Sequence, residues 1–111
     1  MSGAVRRWLP RLLRRIHDLA GRGLVRFTLK AARELAALGA GLDAEDACDV
    51  LVALREDDFA KRFESDHTGE WMYVFKPSVV GTVVYLKLVL RADCLVVSFH
   101  EYEGESDEEP S

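Results

Sequence analysis

Apolar and polar residues alternate in the last third of the chain, a pattern that predicts half-buried β-strands. One predicted strand begins after Gly81 and the other begins at Cys94. Their apolar faces are Val84, Leu86, Leu88 and Leu90 in the first strand and Leu95, Val97 and Phe99 in the second. Their polar faces are Tyr85, Lys87 and Arg91 in the first strand and Ser98, His100 and Tyr102 in the second.

A tight turn at Ala92-Asp93 would join these two strands into an antiparallel hairpin. Tyr85 then faces His100 across the pair, and Lys87 faces Ser98. A phenol, an imidazole and an ammonium group would therefore meet on one exposed surface of the sheet. This surface is the predicted functional site.

Helical periodicity dominates the first half of the chain. Leu9 to Ala20 has an apolar stripe at helical spacing, and glycines follow it. Thr28 is a predicted N-cap for a second helix through Leu38, and Asp43 with Asp46 is predicted to form a capping box for a third. Another helical turn or two is predicted to start at Asp57 or Asp58, because Phe59 and Phe63 are four residues apart.

Another alternating segment follows a polar loop. Trp71, Tyr73 and Phe75 share one face, assigned to the core, and Met72, Val74 and Lys76 share the other. Helices followed by antiparallel strands predict an α+β fold, with N-terminal helices packed on one face of a three- to four-stranded antiparallel sheet. We expect a single domain over residues 1–103 and a disordered acidic tail over residues 104–111.

The two ends of the chain carry opposite charge, although the formal net charge of the whole chain is only −4. Residues 1–33 contain nine basic side chains and one acid, whereas residues 101–111 contain six acids and no base. Arg11 and Arg15 lie on the polar side of the first helix. They fit either a patch that follows an RNA backbone or an ordinary solvated helix face.

Composition argues against a metal site, a cofactor and a membrane-spanning segment. The cysteines Cys48 and Cys94 lie in apolar contexts without metal-ligand spacing, so we expect buried thiols, no metal and no cofactor. No apolar run is long enough to span a membrane, and the first residues lack the apolar centre of a secretory signal. These features predict a cytoplasmic protein with no membrane partner.

Several short motifs occur in order along the chain and resemble a known family. They are Phe59-Ala-Lys61, Ser65-Asp-His-Thr68, Trp71-x-x-Val74-x-Lys76-Pro77, Val84-Tyr-Leu-Lys87 and Val97-Ser-Phe99. The chain thereby resembles the motility quorum-sensing regulator (MqsR-like) toxins of bacterial type II toxin–antitoxin systems. The resemblance runs from about Leu9 to Tyr102. It implies a RelE-like fold, cleavage of mRNA and neutralisation by a cognate antitoxin, through which alone DNA would be contacted.

The resemblance also implies which residues act. Lys61 and Tyr85 match a lysine and a tyrosine of the family's active site. Met72 stands where the family has a glutamine, and His100 stands where it has a late lysine. An imidazole titrates near neutral pH and can still transfer a proton, whereas a thioether is a poor hydrogen-bonding group.

From these residues we predict metal-independent cleavage of RNA. The ribose 2′-oxygen attacks the adjacent phosphorus and leaves a 2′,3′-cyclic phosphate and a 5′-hydroxyl. Tyr85 would hold or activate the 2′-hydroxyl, and His100 would be the acid, or the base if Tyr85 only positions the hydroxyl. Lys61 and Lys87 would stabilise the phosphoryl charge. The predicted contacts to flanking RNA are Lys76, Arg91, Arg11 and Arg15. The alternative, favoured by Met72 and the negative net charge, is an inactive toxin-like module that binds a partner protein or RNA.

Overall fold

The computed structural model describes residues 7–39 and 41–104. Three helices come first: α1 (Trp8–Gly21), α2 (Leu29–Ala37) and α3 (Ala44–Val52). A short strand, β1 (Val25–Phe27), lies between α1 and α2, and a single 3-10 turn (Glu56–Asp58) follows α3. The remaining strands are β2 (Phe59–Glu64), β3 (Trp71–Phe75), β4 (Ser78–Val79), β5 (Thr82–Leu90) and β6 (Cys94–Glu101).

The described strands form one sheet in the order β1-β6-β5-β3-β2, with β4 paired to β5 outside this path. All pairs are antiparallel except β1, which runs parallel to β6. The predicted α+β class is confirmed. The sheet is larger than the predicted three to four strands, because β2 and β4 were not among the predicted strands.

The helices cover one face of the sheet and form a single core with it. Six residues of α1 that share its apolar stripe are buried there, as predicted: Leu9, Leu12, Leu13, Ile16, Leu19 and Ala20. The sheet contributes inward-facing residues of β3, β5 and β6, among them Phe75, Leu86 and Phe99. We call the sheet face turned away from the helices the outer face.

Local capping fixes where the helices begin, as the sequence predicts. The Thr28 side chain accepts a hydrogen bond from the Ala31 N–H, and Asp43 and Asp46 form a reciprocal capping box. Thr28 also donates its N–H to the Val96 carbonyl at the edge of β6. Helix α2 therefore continues along this edge where β1 ends, and the Glu34 carboxylate accepts the N–H of Phe99 at 2.9 Å.

The predicted helical turn after Asp58 is wrong beyond the 3-10 turn, because residues 59–64 form strand β2. A bulge between Phe59 and Lys61 explains the misleading spacing. It lets Phe59 point inward against Trp8 and Phe75, whereas Phe63 points to the outer face. Pairing with β3 overrides the local pattern in this segment.

The β5–β6 hairpin has the predicted register only near its open end. Tyr85 faces His100 and Lys87 faces Ser98, as expected, but the register shifts by one before Leu88, which faces Val96. Val97 is the extra residue of this bulge. Val96 is therefore buried in the core and Val97 is not, so the predicted apolar face of β6 is wrong at Leu95 and Val97.

Trp71 is exposed at the start of β3, so its assignment to the core is also wrong. The Arg62 guanidinium lies between two indole rings, 4.1 Å from the centre of Trp8 and 4.1 Å from the centre of Trp71. The Trp71 ring is thus stacked against a cation and not buried in the core. The predicted acidic tail lies outside the described residues except for Gly104.

Within residues 7–39 and 41–104, no helix is long and apolar enough to cross a membrane.

Candidate functional site

The outer face of the sheet brings together the polar side chains that the alternation predicted. Its central row runs across four strands: Lys61 of β2 faces Val74 of β3, Val74 faces Lys87 of β5, and Lys87 faces Ser98 of β6. Facing residues of paired strands project to the same side of a sheet. Two lysines therefore share one surface with a buried valine between them.

Tyr85 and His100 form the next row and are stacked. Their ring centres are 5.1 Å apart and the ring planes differ by 11°. The predicted meeting of phenol and imidazole is confirmed. The expectation that both are exposed is wrong for Tyr85, which is only 1% exposed, whereas His100 is half-buried.

The position of the His100 ring defines the role of each of its nitrogens. Nδ1 lies 2.9 Å from the backbone carbonyl oxygen of Glu101. A carbonyl oxygen only accepts hydrogen bonds, so Nδ1 must carry the proton. In the neutral imidazole Nε2 is then unprotonated, which makes it the nitrogen able to take up a proton from a ligand.

Three of the predicted lysines lie against aromatic rings on the outer face. The ammonium nitrogens of Lys61 and Lys87 lie 5.7 Å and 5.8 Å from the centre of the Phe63 ring. Lys76, which directly follows β3 and is two residues beyond Val74, lies 4.0 Å from the centre of the Tyr102 ring. These contacts hold cationic groups over an apolar floor.

Carboxylates are excluded from the strands on this side. In the part of the chain that the structure describes, no strand position facing outward carries Asp or Glu. The outer face therefore attracts anions even though the net charge of the whole chain is −4.

The other predicted RNA contacts do not join this surface. Arg91 lies at the far end of β5, where its guanidinium makes two hydrogen bonds of 2.8 Å to Glu70. These bonds lower the pKa of the Glu70 carboxyl. Arg11 and Arg15 are exposed on α1, in the helical layer on the opposite side of the sheet, and Arg15 donates to the Arg91 carbonyl.

Lys30 was missed as a member of this surface. It lies on α2, and its Nζ is 3.0 Å from the Ser98 hydroxyl at the end of the central row. Only the path of α2 along the edge of β6 creates this contact, and no local pattern in the sequence reports it.

Cys94 is buried, as predicted, whereas Cys48 is only half-buried. Burial raises the pKa of the Cys94 thiol to about 12, and burial also raises the pKa of Cys48. Among residues 7–39 and 41–104, no group of three or more His, Cys, Asp or Glu side chains is arranged to hold a metal ion.

The fold and the site together define a small α+β protein whose open sheet face presents lysines and a histidine. A family model described as "Motility quorum-sensing regulator, toxin of MqsA" matches residues 11–101. The chain is also 41% identical over 91 residues to the mRNA interferase toxin MqsR of Escherichia coli (strain K12), a match that covers 80% of this chain and 90% of that protein. The chain belongs to the motility quorum-sensing regulator (MqsR) toxin family.

Proposed function

We propose that this protein is the toxin of a type II toxin–antitoxin pair and an endoribonuclease that cleaves mRNA on the outer face of its sheet. Family membership supports the toxin assignment, and the name of the relative, an mRNA interferase, supports the substrate. The observation that carries the proposal is the location of the stacked Tyr85–His100 pair beside the lysine row.

His100 is the general base of the proposed reaction. Its Nδ1–H is held by the Glu101 carbonyl, so Nε2 is the atom that accepts the proton of the ribose 2′-hydroxyl. The 2′-oxygen then attacks the adjacent phosphorus, and the bond from phosphorus to the 5′-oxygen breaks. The products are a 2′,3′-cyclic phosphate and a 5′-hydroxyl.

Lys61 and Lys87 act on the charge that develops during this attack. Both ammonium groups lie over the Phe63 ring on the same surface. Fixed cations near the phosphoryl oxygens lower the barrier because negative charge grows there in the transition state. Lys87 lies in the outward-facing row next to that of His100, and its ammonium group protonates the departing 5′-oxygen.

Tyr85 is a positioning residue in this scheme and not the base. Its ring is buried beneath His100, so the phenol does not face a ligand on the outer surface. Met72 shares the face as the partner of Phe63 and offers van der Waals contact in place of the amide that the family has there.

The remaining parts of the proposal concern partners. We expect a cognate antitoxin protein to neutralise the toxin, with DNA contacted only through that antitoxin. Because the substrate is mRNA, the site of action is the cytoplasm. Lys76, at the edge of the outer face, contacts a flanking phosphate.

Incubation of the purified protein with a mixed RNA in excess chelator tests the activity. We expect cleavage products with 5′-hydroxyl and 2′,3′-cyclic phosphate ends. His100→Ala should lower the cleavage rate by about 10²-fold or more, because it removes the base. His67→Ala is the matched control, since His67 is an exposed histidine in the loop between β2 and β3.

Equal rates for the wild type and His100→Ala would remove His100 from the mechanism. RNA that stays intact with the wild-type protein, together with tight binding of RNA or of the antitoxin, would instead indicate the inactive binding module.

A further inference from the structure

We infer that Lys30 supplies a third phosphate contact and that the RNA backbone crosses the sheet at right angles to the strands, along Lys61, Lys87 and Lys30. This inference rests on the proposed function and specifies the path of the substrate. Neither the sequence motifs nor the family resemblance singles out Lys30.

The distribution of lysine in the chain supports this path. The sequence contains four lysines, Lys30, Lys61, Lys76 and Lys87. Lys61 and Lys87 project from outward-facing positions of β2 and β5. Lys76 directly follows β3 and contacts Tyr102, and Lys30 reaches the same face from α2. The sequence also contains eleven arginines, of which Arg26 and Arg91 bind Asp93 and Glu70.

The strand register places Lys61 and Lys87 in one row across the sheet. Each residue of the row faces the next one on the neighbouring strand: Lys61 of β2, Val74 of β3, Lys87 of β5 and Ser98 of β6. Neighbouring strands are about 4.8 Å apart, so Lys61 and Lys87 originate about 10 Å from each other. Ser98 is one strand further on, and the Lys30 ammonium lies 3.0 Å from its hydroxyl. Charged and uncharged positions therefore alternate along the row.

The surroundings of Lys30 hold its ammonium group in place without covering it. It makes an ion pair of 2.9 Å with Glu34, and its side chain remains 61% exposed. Glu34 also accepts the N–H of Phe99, so its carboxylate serves the strand edge as well as the lysine. An ammonium group has three N–H donors, and Ser98 and Glu34 accept two of them. The third donor is left for a phosphate oxygen.

A phosphate contact has a signature that a structural contact lacks. Each phosphate neutralised on a single strand releases counterions and contributes about −0.7 to the slope of log K against log salt concentration. Loss of a contact that only fixes α2 to the sheet would lower the melting temperature and leave this slope unchanged.

The test measures binding of a fully 2′-O-methylated RNA oligonucleotide, which cannot be cleaved, over a series of salt concentrations. We expect Lys30→Gln to make the slope shallower by about 0.7 and to weaken binding to all sequences alike. Lys30→Arg should retain the wild-type slope, because it keeps the charge. Arg33→Gln is the matched control: it removes one positive charge from an exposed position on the same helix and should leave the slope unchanged.

An unchanged slope in Lys30→Gln, with salt-dependent binding by the wild type, would overturn the inference and leave the proposed function intact. An equal change in Arg33→Gln would also overturn it, because the effect would then reflect net charge alone. Absence of both RNA binding and RNA cleavage in the wild type would refute the proposed function itself.

Discussion

The turn between β4 and β5 contains a residue whose backbone conformation is unfavourable for its side chain, and replacing it should stabilise the protein. Val79 pairs with Thr82, so Val80 and Gly81 alone form the turn. Their φ angles are 50° and 79°, positive at both positions as in a type I′ turn. Glycine adopts this conformation freely, whereas a β-branched residue does so at a cost.

The size of the effect follows from the exposure of the side chain. A left-handed conformation costs an L-residue about 1–2 kcal/mol, and asparagine tolerates it far better than valine. Val80 is 76% exposed, so its loss forfeits about 0.4 kcal/mol of apolar burial. Val80→Asn should therefore raise the free energy of unfolding by about 1 kcal/mol. For a chain of 111 residues this corresponds to a rise in Tm of about 4 °C.

Thermal unfolding followed by circular dichroism measures this shift. Val83→Asn is the control, because Val83 has the same side chain in the same hairpin but lies in strand β5 and is 41% exposed. Asparagine is unfavourable in a strand, so this variant should have a lower Tm than the wild type. A Val80→Asn protein that melts at or below the wild-type temperature would refute the assignment of strain to this turn.

Two further predictions concern the site and the hairpin end. Tyr85→Leu should lower the cleavage rate by up to about 10-fold, because an aromatic stack is worth about 0.5–1.5 kcal/mol. Tyr85→Phe keeps the ring beneath His100, so its cleavage rate should stay within about threefold of the wild-type rate. A 10²-fold loss in Tyr85→Phe would show that the phenol itself transfers a proton. Glu70→Gln should remove part of the acid sensitivity of folding. Arg91 lowers the pKa of Glu70 in the folded protein, so this pair stabilises the fold above pH ~4.3 and loses its effect as the pH falls through the lower folded value. The Tm difference between wild type and Glu70→Gln should thus be constant above pH ~5 and shrink below it, and a difference that is independent of pH down to ~3 would contradict the linkage.

The helical half of the fold could be predicted from the sequence because its signals are local. The apolar stripe of α1 and the caps at Thr28 and Asp43 each involve residues within a few positions of one another. Such signals act before any tertiary contact forms. The structure confirms all three.

Two of the errors in the strands, the helical turn predicted at Phe59 and Phe63 and the apolar face predicted for β6, have one physical origin, which is the β-bulge. The bulges at Ala60 and Val97 each insert one residue and reverse the side to which the following side chains point. Val96 and Val97 are both valines, so hydrophobicity alone gives no sign of which one is buried. The helical spacing of Phe59 and Phe63 likewise results from two residues that face opposite sides of a bulged strand.

The burial of Tyr85 could not be predicted from the sequence, for a different reason. This burial changes which side chain is available for proton transfer in the proposed mechanism. Alternation assigns Tyr85 correctly to the outer face, but the exposure of a side chain depends on what its cross-strand partner does. Here the partner is an imidazole that stacks flat on the phenol and turns one nitrogen to a backbone carbonyl. A flexible lysine at position 100 would have no planar ring to stack in this way. In the proposed mechanism the exposed proton-transfer group is therefore the His100 imidazole and not the Tyr85 phenol.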